Sequence, residues 1–277
     1  MNEKKIGENN MRKISLSVIA LTLLASPAAF AGAVNNLSGT DGFSAEPYLK
    51  GTNMVNVRLD SGFTNLTGVN SLLAPNLNFT TAVADGVDLG IGGGLNFSNV
   101  GSSLSSLSSG AVFPWVRAAI PTGLDNIKTG IMVGTSIPVN PNNQLTAGNN
   151  AMLNMMSREF FPGATALMDV YLGQALGSSV PLTMGLNAGY ARGISSGTNL
   201  VSGNLNFALP TSNVVLYEEQ FVNYPVGGYA NGGLRLGVSI PVGDKWMFDV
   251  KPAALWEANA TGSTWSFNPS VGASVKF

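Results

Sequence analysis

The chain has 277 residues, with 14 Lys/Arg, 15 Asp/Glu, a formal net charge of −1, and neither histidine nor cysteine. Without cysteine there is no disulfide framework and no thiolate metal site; without histidine there is no Ser-His-Asp triad, no imidazole base and no usual zinc site. A charge this close to zero also excludes the basic stripe of a nucleic-acid binder, so no enzymatic activity, cofactor, metal or nucleic-acid partner is expected.

Residues 11–31 read MRKISLSVIALTLLASPAAFA. Arg12 and Lys13 precede an apolar stretch, and Ala29-Phe30-Ala31 gives a small-x-small cleavage site before Gly32, the pattern of a cleaved secretory signal. The apolar stretch is too short for a membrane-spanning helix, which needs about 20 residues. The expected organisation is an N-terminal extension plus signal over 1–31, a linker over 32–51, and one domain over 52–277.

Within that domain the polarity alternates with a period of two, the signature of strands with two unlike faces. A first strand over 52–60 sets Val55, Val57 and Leu59 against Asn56, Arg58 and Asp60. A second, 76–84, turns through Asp85-Gly86, a two-residue hairpin signal, into a third over 87–97. There Val87, Leu89, Ile91 and Leu95 oppose Asp88, Gly90, Gly92 and Gly94. The fourth, 111–120, turns Trp115 and Arg117 inward. Strands over 127–139, 164–174, 180–192, 199–209, 213–221, 232–241 and 246–257 follow. The facing of the ninth is ambiguous at Glu218-Glu219, which reads as a lumen-plus-rim pair or a weak cation site.

The last segment, WSFNPSVGASVKF over 265–277, has Trp265, Phe267, Val271, Val275 and Phe277 on one parity and Ser266, Asn268, Ser270, Ser274 and Lys276 on the other. It resembles the C-terminal strand of bacterial outer-membrane β-barrels. That resemblance implies that Val275 and Phe277 belong to a signal read by the barrel-assembly machinery. The expected fold is an all-β, up-and-down antiparallel transmembrane β-barrel of about 12 strands, with 10–14 possible. A barrel is the one sheet that leaves no unpaired backbone in lipid. The connections support it by alternating long (61–75, 98–110, 140–163) with short (85–86, 121–126, 177–179). Trp246 and Trp256, ten residues apart, span about 25 Å and would mark the two aromatic girdles, together with Trp265.

The inward parity then carries the chemistry. Arg58, Asp60, Asp88, Trp115, Arg117, Lys128, Asp169, Arg192, Arg235, Asp249, Lys251 and Glu257 would line a lumen, setting solute selectivity or pairing to fill it. The run Gly90/Gly92/Gly94 either makes room for a solute or accommodates a bulky neighbour such as Trp115. The 140–163 connection is long enough to be functional, and Arg158, Glu159, Phe160 and Phe161 would form a constriction at the mouth or pack on the rim. The expected role is a passive, porin-like outer-membrane channel of a Gram-negative bacterium, meeting lipid bilayer, lipopolysaccharide and small solutes. The alternatives are a non-conducting surface barrel acting through its loops, or a transporter of small hydrophobic compounds.

Overall fold

A computed structural model describes residues 44–64, 71–100, 103–139 and 159–277. The signal sequence, the stretch 140–158 and Arg158 lie outside them. The strands are β1 (Asn53–Thr64), β2 (Ser71–Ala84), β3 (Val87–Val100), β4 (Ser103–Ile120), β5 (Ile127–Pro138), β6 (Phe161–Tyr171), β7 (Thr183–Arg192), β8 (Asn199–Pro210), β9 (Val215–Pro225) and β10 (Asn231–Val242). They are followed by β11 (Trp246–Val250), β12 (Ala253–Asn259), β13 (Gly262–Asn268) and β14 (Ser270–Lys276). One helical turn, α1 (Leu172–Ala175), follows β6. From β1 to β10 each strand pairs antiparallel with its neighbour in sequence, β10 pairs with both β11 and β12, and β1 pairs with β2 and with β13 and β14, closing the sheet.

Fourteen segments make twelve crossings. Val250 faces Val271 and Ala253 faces Asn268 in one unbroken register, so β11 with β12, and β13 with β14, are single strands with a gap. The gap has a covalent cause. That register sets Pro252 opposite Pro269, and neither can donate to the ladder. Flanking bonds hold the pairing: Lys251 N donates to Ser270 O at 2.9 Å, and Leu236 N to Pro252 O at 3.1 Å. The molecule is thus a closed, all-β, antiparallel barrel of 12 strands. No helix among the described residues is long and apolar enough to cross a membrane.

The alternation resolves into two surfaces. Val57, Leu77, Phe79, Ile91, Val116, Val133, Leu236, Phe248 and Val271 are exposed on the outside, while Asn56, Arg58, Asn78, Asp88, Arg117 and Asp249 are buried inside. Trp246 stands near one end of this apolar band, while Trp256 and Trp265 sit opposite each other in register near the other. Phe277 is exposed, and its backbone exchanges two 3.0 Å hydrogen bonds with Asn53, tying the chain end into the closing strand.

Three connections differ from the sequence reading. Residues 61–75 and 98–110, expected as long loops, are largely strand: β1 and β2 leave only 65–70 between them, and β3 and β4 only 101–102. Their Ser- and Gly-rich composition lacks hydrophobic alternation, but backbone pairing does not require any. The expected sixth strand ends at Tyr171 and gives way to α1, so the turn into β7 is longer than a tight Gly177 turn.

Candidate functional site: the barrel interior

Among the described residues, four basic side chains are buried inside the barrel, and each has a carboxylate beside it. Arg58 Nη2 lies 2.9 Å from Asp60, Arg235 Nη1 3.4 Å from Glu219, and Lys251 Nζ 3.7 Å from Asp249. Arg117 Nε donates to Asp88 at 3.1 Å, and its Nη2 bonds the same carboxylate oxygen. Removing a charge from water costs several kcal/mol unless such a partner compensates, so the pairing is what lets this wall exist.

Around the pairs lie amides and hydroxyls. Asn56 donates to Ser274 Oγ at 2.8 Å, Asn76 to Asp60 at 3.0 Å, Asn206 to Asn204 at 3.1 Å, and Asn204 and Ser239 donate to Glu219 and Asp249. The Lys251 ammonium sits 4.9 Å from the Tyr217 ring centroid, a cation–π arrangement. Glu219 was half of an ambiguous pair in sequence. It points inward, whereas Glu218 is on the outer face and accepts a 2.9 Å hydrogen bond from Gln220.

The opposite wall is different. Trp115, Met132 and Leu167 form one apolar cluster, Phe161 and Leu200 another, and Phe113 touches both. All six hold the inward parity of β4, β5, β6 and β8. Trp115 lies flat on the wall: a Cβ at Gly90 would stand 2.1 Å from its ring. The glycine therefore serves the indole rather than an open space for solute.

A further group was not anticipated. Residues 44–51, read as part of a linker, are folded into the mouth of the barrel at the end that carries the short turns. Ser44 Oγ donates to Asp169 Oδ2 at 2.5 Å and Ala45 N donates to the same oxygen at 2.9 Å. Tyr48 N donates to both oxygens of Asp88 at 3.2 Å, Arg117 Nη1 donates to Ser44 O at 2.9 Å, and Tyr171 Oη donates to Glu46. Ala45 is fully buried against Trp115, Met132 and Leu167, and Tyr48 packs with Met54, Ala82 and Met247. Beside this strap lies a recess of about 560 Å³ lined by Glu46, Asp85, Asp125 and Lys128 among others.

The remaining expected residues divide. Lys128 and Glu257 are only partly buried. Arg192, expected to face the lumen, is exposed on the parity of Tyr190, since residues of like parity share a face. Of the expected constriction, Phe161 points inward against Leu200, and Phe160 is 49% exposed. Glu159 instead accepts hydrogen bonds from Ser195 N (2.6 Å) and Ser196 N (2.9 Å), latching the β7–β8 loop. Partial desolvation raises the Glu159 pKa, but bonds from Ser196 and Ser195 outweigh it and leave the carboxyl below its ordinary value.

No protein-family model matches the sequence. No curated protein matches it either. Solved structures do match the fold. The COG4313 outer membrane channel from Pseudomonas putida F1 is similar at a TM-score of 0.56 and 11% identity, covering 86% of this chain and all of that one. The NanC porin is similar at a TM-score of 0.54 and 11% identity (80% and 100% covered), and the KdgM porin at 0.50 and 8% (80% and 99%). At these identities the likeness is one of fold, and that fold is the outer-membrane β-barrel of porins and channels.

Proposed function

We propose that this protein is a non-enzymatic outer-membrane channel that passes small solutes down their gradients. The observation that carries the reading is the ion-paired, amide-rich wall formed by Arg58, Arg235, Lys251, Glu219 and Asp249. A barrel needed only as a membrane anchor could be filled with apolar side chains at lower electrostatic cost. Because each buried cation has its own carboxylate, the wall offers no uncompensated ring of one sign, and discrimination is by size and polarity. In this reading the signal over 11–31 takes the chain to the envelope of a Gram-negative cell, assembly machinery reads Val275 and Phe277, and lipopolysaccharide and lipid surround the apolar band.

The wall of Phe113, Trp115, Met132, Phe161, Leu167 and Leu200 favours a second reading, in which the solutes are small and partly hydrophobic. Liposome swelling with neutral sugars and alkyl-substituted solutes of graded size tests both. Rates that fall steeply with size and rise with an alkyl group support the pair of readings. Equal rates with and without the alkyl group leave only the first, and no swelling from a folded, heat-modifiable barrel refutes both.

A further inference from the structure

The strap over 44–52 is held by specific groups rather than by general stickiness. Two wall carboxylates, Asp88 and Asp169, accept backbone N–H groups from it, and Arg117 donates to its Ser44 carbonyl. Ala45 fills an apolar floor of Trp115, Met132 and Leu167. Asp88 and Asp169 are at most 5% exposed. With the strap withdrawn, they would face water beside an apolar floor, a wall already shaped for a ligand with a charged head and a hydrocarbon body. The local charge has a sign. Asp88, Asp169 and the recess-lining Asp85 and Asp125 are four carboxylates against two cations, Arg117 and Lys128.

We propose that residues 44–52 are a displaceable strap that closes this mouth by occupying a solute site formed by Asp88, Arg117, Asp169 and the Trp115–Met132–Leu167 floor, and that the site takes a small cation with an apolar tail, such as an alkylammonium. The head replaces the strap's donors at Asp169, Ser44 Oγ and Ala45 N, and the tail replaces the Ala45 methyl. The strap is then an internal competitor, and solute entry opens the exit. The solute role rests on the channel reading; the docking of the strap does not.

The chain has no cysteine, so Ser44→Cys gives a single thiol whose reaction with a charged maleimide reports strap release. In the full-length folded barrel that reaction should be at least about tenfold slower than at the exposed reference Leu176→Cys. Adding Ala45→Asp, which sets a carboxylate into the apolar floor and leaves the wall intact, should bring it close to the reference rate, whereas Ala45→Ser should not. Millimolar butylammonium should accelerate labelling several-fold, and butanol should not. Labelling as fast as the reference before any change, or unmoved by Ala45→Asp, overturns the strap. Indifference to butylammonium overturns the solute assignment. In bilayers, Ala45→Asp should enlarge conductance several-fold, and oxidation of a Ser44→Cys/Asp169→Cys pair should close the pore until reductant is added. If labelling follows these expectations while every variant is electrically silent, the channel reading fails and the strap stands.

Discussion

Arg117 serves Asp88, the Ser44 carbonyl and the Tyr48 ring at once, with its guanidinium carbon 5.4 Å from that ring's centroid. Removing it leaves the Asp88 carboxylate buried without its counter-charge. Arg117→Met should therefore destabilise the barrel by about 3–5 kcal/mol in urea unfolding, and a further Asp88→Leu should recover most of the loss. A double variant no more stable than the single one would contradict the pairing. The outer face holds the reverse case. Glu218 lies opposite Phe207 and Leu236, between the levels of Trp246 and Trp256, and in the proposed membrane setting a carboxylate there is costly even with Gln220 beside it. Glu218→Leu should stabilise by about 1–2 kcal/mol, measured in the same way. A loss of stability would mean that the carboxylate has a partner on that face. At this scale the sequence is legible wherever one parity is apolar, as at Arg58, Asp88 and Asp249. It fails at Tyr217–Phe221, because neither parity there is wholly apolar, and the assignment of Glu219 to the interior needs the pairing with Arg235.

Among elements, the strands above the apolar band are the ones alternation cannot detect. The Ser/Gly-rich stretch 98–110 carries no period-two alternation of polarity, so nothing in its sequence marks it as strand. The strap was missed for a related reason. Its contacts run mostly through backbone N–H and C=O groups, one hydroxyl, one exposed carboxylate and one methyl, and only Tyr48 in that stretch looks like a residue meant for burial. Phe113, Met132 and Leu167 did leave a trace: each interrupts the polar parity and makes a short continuous apolar run. The Glu159 latch yields a pH prediction. A carboxylate held below its ordinary pKa contributes stability above the unfolded value, and that contribution is lost as pH falls through the lower, folded value. The amide resonances of Ser195 and Ser196 should titrate together with a midpoint below about 4.3, the free glutamate value. A midpoint at or above it would refute the latch.

At the level of the whole molecule, the barrel and the facing of its strands follow from period-two alternation, and no helix among the described residues is long and apolar enough to span a membrane. The closed sheet pairs its own backbone and turns an apolar band outward, and the four basic side chains buried inside each lie beside a carboxylate. What the interior admits depends on how residues far apart in sequence meet: Ser44 with Asp169, Arg117 with Asp88, Phe113 with Phe161. No local pattern encodes those meetings. The most direct test of the account is single-channel current from the folded chain in planar bilayers under a salt gradient, recorded for the wild type and for Ala45→Asp. The account predicts discrete steps, small in the wild type and larger in the variant, with a reversal potential shifted only modestly toward cation selectivity, because the buried ion pairs cancel while the mouth keeps an excess of carboxylates. Silence from both barrels, or a reversal potential close to that of a purely cation- or anion-selective pore, would contradict it.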